Sequence, residues 1–426
     1  MAQTQADTIV VDDYLPARRS LRVAVVTETY PPEVNGVAAT IARVVDGLRQ
    51  RGHQLQLVRP RQEGTQLGSA SALLPTQPLD EVLLRGLPIP RYPQLKMGLP
   101  ARSALLRLWT ARRPDVVHLV TEGPLGWSAL QAACKLRLPV VSDFRTNFHA
   151  YSAHYGVGWL RAPVMAYLRK FHNRTACTMV PTAALQRELA AAGFERLRVV
   201  ARGVDTRLFD PARRSEALRA SWGAAPETLV ALCVGRLAPE KNLGAVVAAA
   251  EAMAAALGAG AQGEAPRLRL VLVGDGPERT RLQQRCPDAV FAGLRRGEDL
   301  AAHYASADVF LFPSTTETFG NVVPEAMASG LAVLAYEHAA AGQLIRDGDN
   351  GLLARLDDTA AFCSAAQRLA GAPLRVRALG LQARATAAQL GWGCIVEAVE
   401  SEYATAMAGV EGAKGDAAWS PVLPLV

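Results

Sequence analysis

Two glutamates eight residues apart, Glu317 and Glu325, flank a glycine and a proline in STTETFGNVVPEAMASG, residues 314–330. Carboxylates accept hydrogen bonds from sugar hydroxyls, and such charge-assisted bonds are strong. Pro324 is tolerated only in the first turn of a helix, where its missing N–H would have no partner anyway. It therefore puts a helix start within a few residues of Gly320, just after the apolar run at 309–312. Free N–H groups and the positive dipole end at such a start suit a phosphate oxygen. Glu325 also has a plainer role open to it, because a carboxylate in a first turn complements the dipole, for about 0.3–1 kcal/mol.

A second cluster, Gly235-Arg236-Leu237-Ala238-Pro239-Glu240-Lys241-Asn242, follows the apolar run at 228–234. It sets Arg236 and Lys241 where a strand gives way to a loop, in reach of the same cleft. A departing pyrophosphate needs such cations to absorb the charge that grows on it. Upstream, Pro31-Pro32-Glu33-Val34-Asn35-Gly36-Val37 joins the first strand to its helix. It lacks the G-x-G-x-x-G fingerprint of dinucleotide sites, which weakens an NAD-linked dehydrogenase reading. Gly36 would let the backbone approach a ligand closely, and the same residues would equally serve an ordinary strand-to-helix turn.

The elements that must position these groups are readable from periodicity. Short β-branched runs at 21–27, 54–58, 116–120 and 139–142 alternate with helical stretches, the first at 37–49. The rhythm restarts with strands at 228–234, 268–273, 290–292 and 309–312, and helices at about 243–257, 277–285, 298–305 and 324–329. Strands alternating with helices imply right-handed crossovers and parallel sheets. Two open α/β domains follow, joined by a polar connection at 208–227. Ligands of such sheets bind beyond the carboxyl ends of the strands, so a shared ligand would lie in the cleft between the domains.

Composition narrows the classes. The 426 residues fit two or three domains, and no run of about 18 uncharged apolar residues offers a membrane span. Six scattered cysteines without a C-x-x-C pair argue for reduced thiols, not a disulfide or zinc framework. Residues 1–20 carry three acidic groups and no apolar core, so a secretory signal is not expected and a cytoplasmic address is. Residues 1–205 hold 26 Lys+Arg against 15 Asp+Glu, whereas the remainder holds 20 against 24. A basic half attracts nucleic acid, anionic lipid or a phosphorylated substrate. Aromatics are 6% of the chain and lie mostly in apolar runs, which disfavours nucleic acid.

ETFGNVVPE, GRLAPEKN, the Gly274-Asp275-Gly276-Pro277 turn, Arg202-Gly203-Val204-Asp205 and the PPEVNG loop resemble the motifs of the retaining glycosyltransferases of family 4, in that family's order, over about residues 22–403. The phrasing is most similar to that of GDP-mannose-dependent α-mannosyltransferases, with sulfoquinovosyl and glucosyl lipid synthases close by. The resemblance implies the GT-B fold, two Rossmann-like domains facing across a cleft, and transfer of a hexose from a nucleotide-sugar to a lipid or saccharide acceptor. A sugar-nucleotide epimerase or a phosphorylase, which shares the architecture, is the nearest enzymatic rival. The implied layout is a disordered segment 1–20, an acceptor-side domain 21–207, the connection 208–227, a nucleotide-sugar domain 228–389, a crossing-back helix 390–408 and a tail 409–426.

Carried onto this chain, the resemblance gives Glu317 the donor-sugar hydroxyls and Glu325 the ribose hydroxyls. Arg236 and Lys241 would hold the pyrophosphate, and the amides around Phe319, Gly320, Asn321, Val322 and Val323 would reach sugar and phosphate. No metal or other cofactor is implied, and Asp347-Gly348-Asp349 reads as a turn. One departure stands out: where the family has a histidine in a phrase like F-H-T, this chain has Phe144-Arg145-Thr146. Arg145 takes that place, and His149 is the alternative if the segment is helical; as a cleft cation Arg145 could instead bind an acceptor phosphate or carboxylate. Retention without a carboxylate nucleophile implies front-face attack, with the leaving phosphate helping to deprotonate the acceptor.

Residues 159–174 interleave Leu160, Val164, Leu168 and Phe171 with Arg161, Arg169, Lys170 and Arg174, which suits a helix lying on an anionic bilayer at the inner face of the cell membrane. An ordinary half-buried helix has the same pattern. Residues 85–99, rich in Pro, Leu and cations, read as a mobile acceptor loop or a solvated connection.

Overall fold

The computed structural model describes residues 19–33, 35–62, 79–89, 92–145, 161–258 and 267–415. The first half is built on strands β1 (Arg22–Val26), β2 (Gln54–Pro60), β3 (Asp80–Leu84), the β4 (Gly86–Ile89) and β5 (Tyr92–Gly98) pair, β6 (Val116–Leu119), β7 (Val140–Asp143), β8 (Cys177–Val180) and β9 (Leu197–Val199). Seven of these form a parallel sheet in the order β3-β2-β1-β6-β7-β8-β9. The second half carries β10 (Leu229–Val234), β11 (Leu268–Val273), β12 (Val290–Gly293), β13 (Val309–Phe312), β14 (Ala332–Tyr336) and β15 (Leu352–Ala354), parallel in the order β12-β11-β10-β13-β14-β15. The strands are apolar on both faces because helices cover both, as a parallel sheet requires. Val230, Phe310 and Val333 face one core cluster, while Ala231, Leu311 and Leu334 face the other.

The strand order reverses between β1 and β6 in the first sheet and between β10 and β13 in the second. Neighbouring crossovers leave in opposite directions at such a point and open a crevice above the strand ends. The loop after β10 begins at Gly235-Arg236 and the loop after β13 at Pro313-Ser314, so both chemical clusters of the second half emerge at one crevice.

Several elements differ from the sequence reading. Residues expected as a mobile loop form the antiparallel β4–β5 pair, in which Leu87 faces Met97. Proline and cations obscured an alternation that only the pairing reveals. The polar connection at 208–227 holds a 3-10 turn, Pro211–Arg213, and a helix, Glu216–Ser221, and it buries Phe209, Trp222 and Arg219 against the second half. Carbonyls and a carboxylate balance the Arg219 charge, which donates to Ser306 O, Thr228 O and Asp308. The last helix, Trp392–Gly415, runs beyond the expected start of the tail and sinks Val396, Val399 and Tyr403 into the core of the first half. Leu168 and Phe171 of the helix Arg161–His172 are likewise buried. Of the described apolar stripe, Leu168 and Phe171 are therefore used inside the protein, as in an ordinary half-buried helix, leaving Tyr167, Arg169, Lys170 and Arg174 outward. Asp347-Gly348-Asp349 is a turn, with Gly348 at φ +81° and its N–H donating to Gly351 O.

Candidate functional site

The crevice of the second sheet is shaped by backbone contact between neighbouring loops. A Cβ on Gly274, at φ +134°, would sit 1.9 Å from Gly235 O, so only glycine allows the loops after β10 and β11 to touch. Leu237 N–H then donates to Asp275 O at 2.9 Å. The chain continues into a 3-10 turn, Pro239–Lys241, and leaves it through Asn242 at φ 50°, a left-handed conformation that asparagine tolerates better than most residues. The helix Leu243–Leu257 starts there.

This turn brings Lys241 against Glu317, 76 residues away in sequence, as an ion pair. Ser314 Oγ donates to the same Glu317 oxygen at 2.7 Å and lies 3.4 Å from Glu240 O, which ties the β10 and β13 loops together. Lys241 Nζ also stands 5.9 Å from the centre of the Phe312 ring. Arg236 joins the cluster through an ion pair with Glu240, whose side chain is only 1% exposed. Both cations of the loop are thus charge-balanced by carboxylates before any ligand arrives.

Beyond Glu317 the chain turns at Gly320, φ +87°, and begins the helix Val322–Ala328 with Pro324 as its third residue. Glu325 lies in its first turn, half-buried, and accepts from Tyr304 OH at 3.0 Å. Burial outweighs that hydrogen bond and raises its pKa to about 7. Asn321 reaches across the cleft, where its Nδ2 lies 3.4 Å from Thr40 Oγ1 on the helix Gly36–Gln50. Gly36 faces the same amide: a Cβ there would lie 3.5 Å from Asn321 Nδ2, ordinary contact. Asn35 caps that helix, its side chain accepting from Ala38 N–H at 2.8 Å.

The opposite wall comes from the first sheet. Asp143, at the end of β7, accepts from Arg145 Nε at 2.6 Å and pairs with His118 Nε2 at 2.9 Å. Burial alone would raise the Asp143 carboxyl, but the charges of Arg145 and His118 outweigh it and hold it below the usual carboxylate range. His118 Nδ1 in turn meets Tyr403 OH at 2.8 Å, which anchors the last helix to this network. Arg202 lies alongside, its guanidinium 5.6 Å from the centre of the Phe319 ring. Burial, then the like charge of Arg145, lowers its pKa to about 9.

The family model described as Glycosyl transferases group 1 matches residues 228–371, and that of Glycosyltransferase Family 4 matches residues 34–208. A GDP-mannose-dependent alpha-mannosyltransferase of Mycobacterium tuberculosis is 37% identical over 78% of this chain and 83% of its own. The chain belongs to glycosyltransferase family 4. A second relative, the GDP-mannose-dependent alpha-mannosyltransferase of Mycolicibacterium smegmatis, is 34% identical over 90% of this chain and 97% of its own. The fold is that of Anabaena Alr3699/HepE, solved in complex with UDP and glucose, with a TM-score of 0.68 at 18% identity, covering 90% of this chain and 100% of the other. This glycosyltransferase accordingly has the GT-B architecture of two Rossmann-like halves.

Of the site residues expected from sequence, the structure joins Lys241 to Glu317 directly and brings Arg236 in through Glu240. Glu325 follows one short loop later, while Arg145 is held by Asp143 on the other wall and does not project as a lone cleft cation. His149 lies outside the described residues. Sequence reasoning missed Ser314, Glu240 and Tyr304 as members of the site, and Arg202 on the facing wall. Glu240 had a readable signal in its i,i+4 spacing from Arg236. Tyr304 and Ser314 had none beyond lying near the other residues. Glu28 was also passed over: just beyond β1 it accepts from Leu125 N–H at 3.0 Å and so fastens the helix Pro124–Lys135 beside the first crevice.

Proposed function

We propose that this enzyme transfers a mannosyl unit from GDP-mannose, with retained configuration, to a lipid or saccharide acceptor. The observation that carries the reading is the meeting of Lys241, Glu317 and Ser314 at the strand-order reversal of the second sheet. The two mannosyltransferase relatives support the choice of donor. In this reading Arg236 and Lys241 take the diphosphate, and the backbone from Phe319 to Val323 lies along sugar and phosphate. Glu317 leaves Lys241 and accepts from the sugar hydroxyls, with Ser314 fixing its orientation. Glu325 accepts from the ribose. The two cations stabilise the leaving diphosphate, whose oxygen takes the acceptor proton on the same face of the sugar. No metal ion is required, so turnover persists in excess EDTA.

Thermal unfolding with GDP-mannose, UDP-glucose and ADP-glucose tests the donor. At 100 times its dissociation constant a ligand adds about 2.7 kcal/mol to the folded state. GDP-mannose gives the largest rise in Tm, and a larger rise with either other sugar nucleotide contradicts the choice of base and sugar.

Glu325 adds a pH signature. Its carboxyl is ionised only above about pH 7 in the free enzyme. Accepting from two ribose hydroxyls favours the ionised form, so below that pH donor binding expels a proton. GDP-mannose affinity then rises about tenfold per pH unit on the acid side and levels off above pH 7, the sign linkage demands for a group that is deprotonated on binding. Titration calorimetry of Glu325→Gln shows a flat profile. The same slope in enzyme and variant would remove Glu325 from the ribose site.

The acceptor side offers the membrane an outward basic face, with Arg169, Lys170 and Arg174 exposed beside Tyr167. With Leu168 and Phe171 buried, contact with an anionic bilayer is electrostatic and does not insert an apolar face. Co-sedimentation with phosphatidylglycerol vesicles should fade as salt shortens the screening length; salt-resistant binding speaks against this mode.

A further inference from the structure

One cavity on the first-half side of the cleft is lined by Thr40, Val44, Asp143, Arg145, Arg202 and Val399. It holds two guanidinium groups and one carboxylate, and the carboxylate is already committed. Asp143 accepts from Arg145 at 2.6 Å and is in contact with His118 at 2.9 Å. Arg202 is 8% exposed, and among the described residues its NH2 nitrogen has no hydrogen-bond partner. Its neighbours include the Phe319 ring, which attracts a cation weakly, and Arg145, which repels it. Asp143 and Glu317 attract it, but Asp143 is paired with Arg145 and Glu317 with Lys241. The cluster therefore carries one buried positive charge without a carboxylate of its own, an unfavourable arrangement that an arriving anion would relieve. Arginine suits that task, since its planar fork meets phosphate, sulfonate or carboxylate oxygens two at a time.

We propose that Arg202, with Arg145 beside it, forms a second anion subsite, distinct from the diphosphate site at Arg236 and Lys241, which binds a phosphate, sulfonate or carboxylate substituent of a substrate. The proposal rests on the donor-site reading above, because Glu317 and Phe319 fix where the transferred sugar lies, and Arg202 is next to both. A substituent there belongs either to an acidic donor sugar or to an acceptor whose anionic group sits near the hydroxyl being glycosylated.

Calorimetric titration of the full chain separates the two sources. The donor arm compares GDP-mannuronate with GDP-mannose. The acceptor arm compares glycerol 1-phosphate with glycerol, both with and without saturating GDP. In at least one arm the anionic probe binds at least about tenfold tighter than its neutral counterpart, the gain of one charge-assisted hydrogen bond. Arg202→Gln abolishes that preference and leaves GDP affinity unchanged, and Arg202→Lys, which keeps the charge but not the fork, retains part of it and serves if the glutamine variant does not fold. Equal affinities in both arms, or a preference that survives Arg202→Gln, overturns the proposal. A parallel loss of GDP affinity also overturns it, by merging Arg202 into the diphosphate site. If GDP fails to bind the unaltered enzyme, the donor-site reading falls instead, and the GDP-free glycerol phosphate arm still decides the subsite.

Discussion

Replacing Lys241 by alanine is expected to lower turnover on the order of 10² to 10³-fold, the cost of one oriented donor to a developing negative charge. Lys241 is a strong case for such an effect because its setting leaves little to substitute for it. Its side chain is 18% exposed, its ammonium contacts Glu317, and the Phe312 ring lies beside it. In the free enzyme its charge is balanced by Glu317. As the diphosphate departs, charge accumulates on oxygens that the cations of this loop must stabilise, so the loss falls mainly on kcat. Arg236 already supplies the other of the two charges on the diphosphate, so it does not replace the one that is lost. Steady-state kinetics together with a Tm measurement separates this from unfolding. Full activity in Lys241→Ala would refute the assignment.

Glu317→Gln is expected to reduce kcat/KM for the sugar donor by about 10 to 100-fold, the worth of a hydrogen bond to a charged acceptor. Its distinguishing feature is the opposite behaviour of the bare nucleotide. Removing the carboxylate releases Lys241 from its partner, so GDP binds the variant as tightly as before or more tightly, while the sugar loses its anchor. The side chains touch, so the two substitutions must not be additive: Lys241→Ala/Glu317→Gln should lose less than the sum of the singles. Equal losses for GDP and for the sugar nucleotide would place Glu317 on the phosphates and not on the sugar.

Much of this arrangement was legible from sequence because it is local. Runs such as LVALCV and VFLF are strands in any parallel sheet, and the loops after them hold Arg236, Lys241 and Glu317. Pro324 likewise put Glu325 in a first helical turn, where it stands. What could not be read were contacts set by topology. The Lys241–Glu317 pair exists because β10 and β13 are neighbours, which strand order decides and residue spacing does not. Burial changed other meanings. Leu168 and Phe171 carry a pattern common to bilayer and core, and the core claims them. Arg145 looked like a free cleft cation, but two residues away stood Asp143, and His118 and Tyr403 complete the chain of contacts from strands and a helix far apart in sequence. Arg202 sits in a motif whose spacing gives no hint of burial, yet it is packed into the cleft wall with a guanidinium nitrogen left unpaired among the described residues.

The central claim is that a diphosphate binds at the crevice where the second sheet reverses its strand order, held by Arg236 and Lys241. Titration calorimetry with GDP on the unaltered enzyme and on Arg236→Ala/Lys241→Ala measures this without any acceptor or turnover. Removing two charge-assisted hydrogen bonds together should weaken GDP binding by at least about 100-fold. An affinity unchanged in the double variant would mean that the nucleotide lies elsewhere.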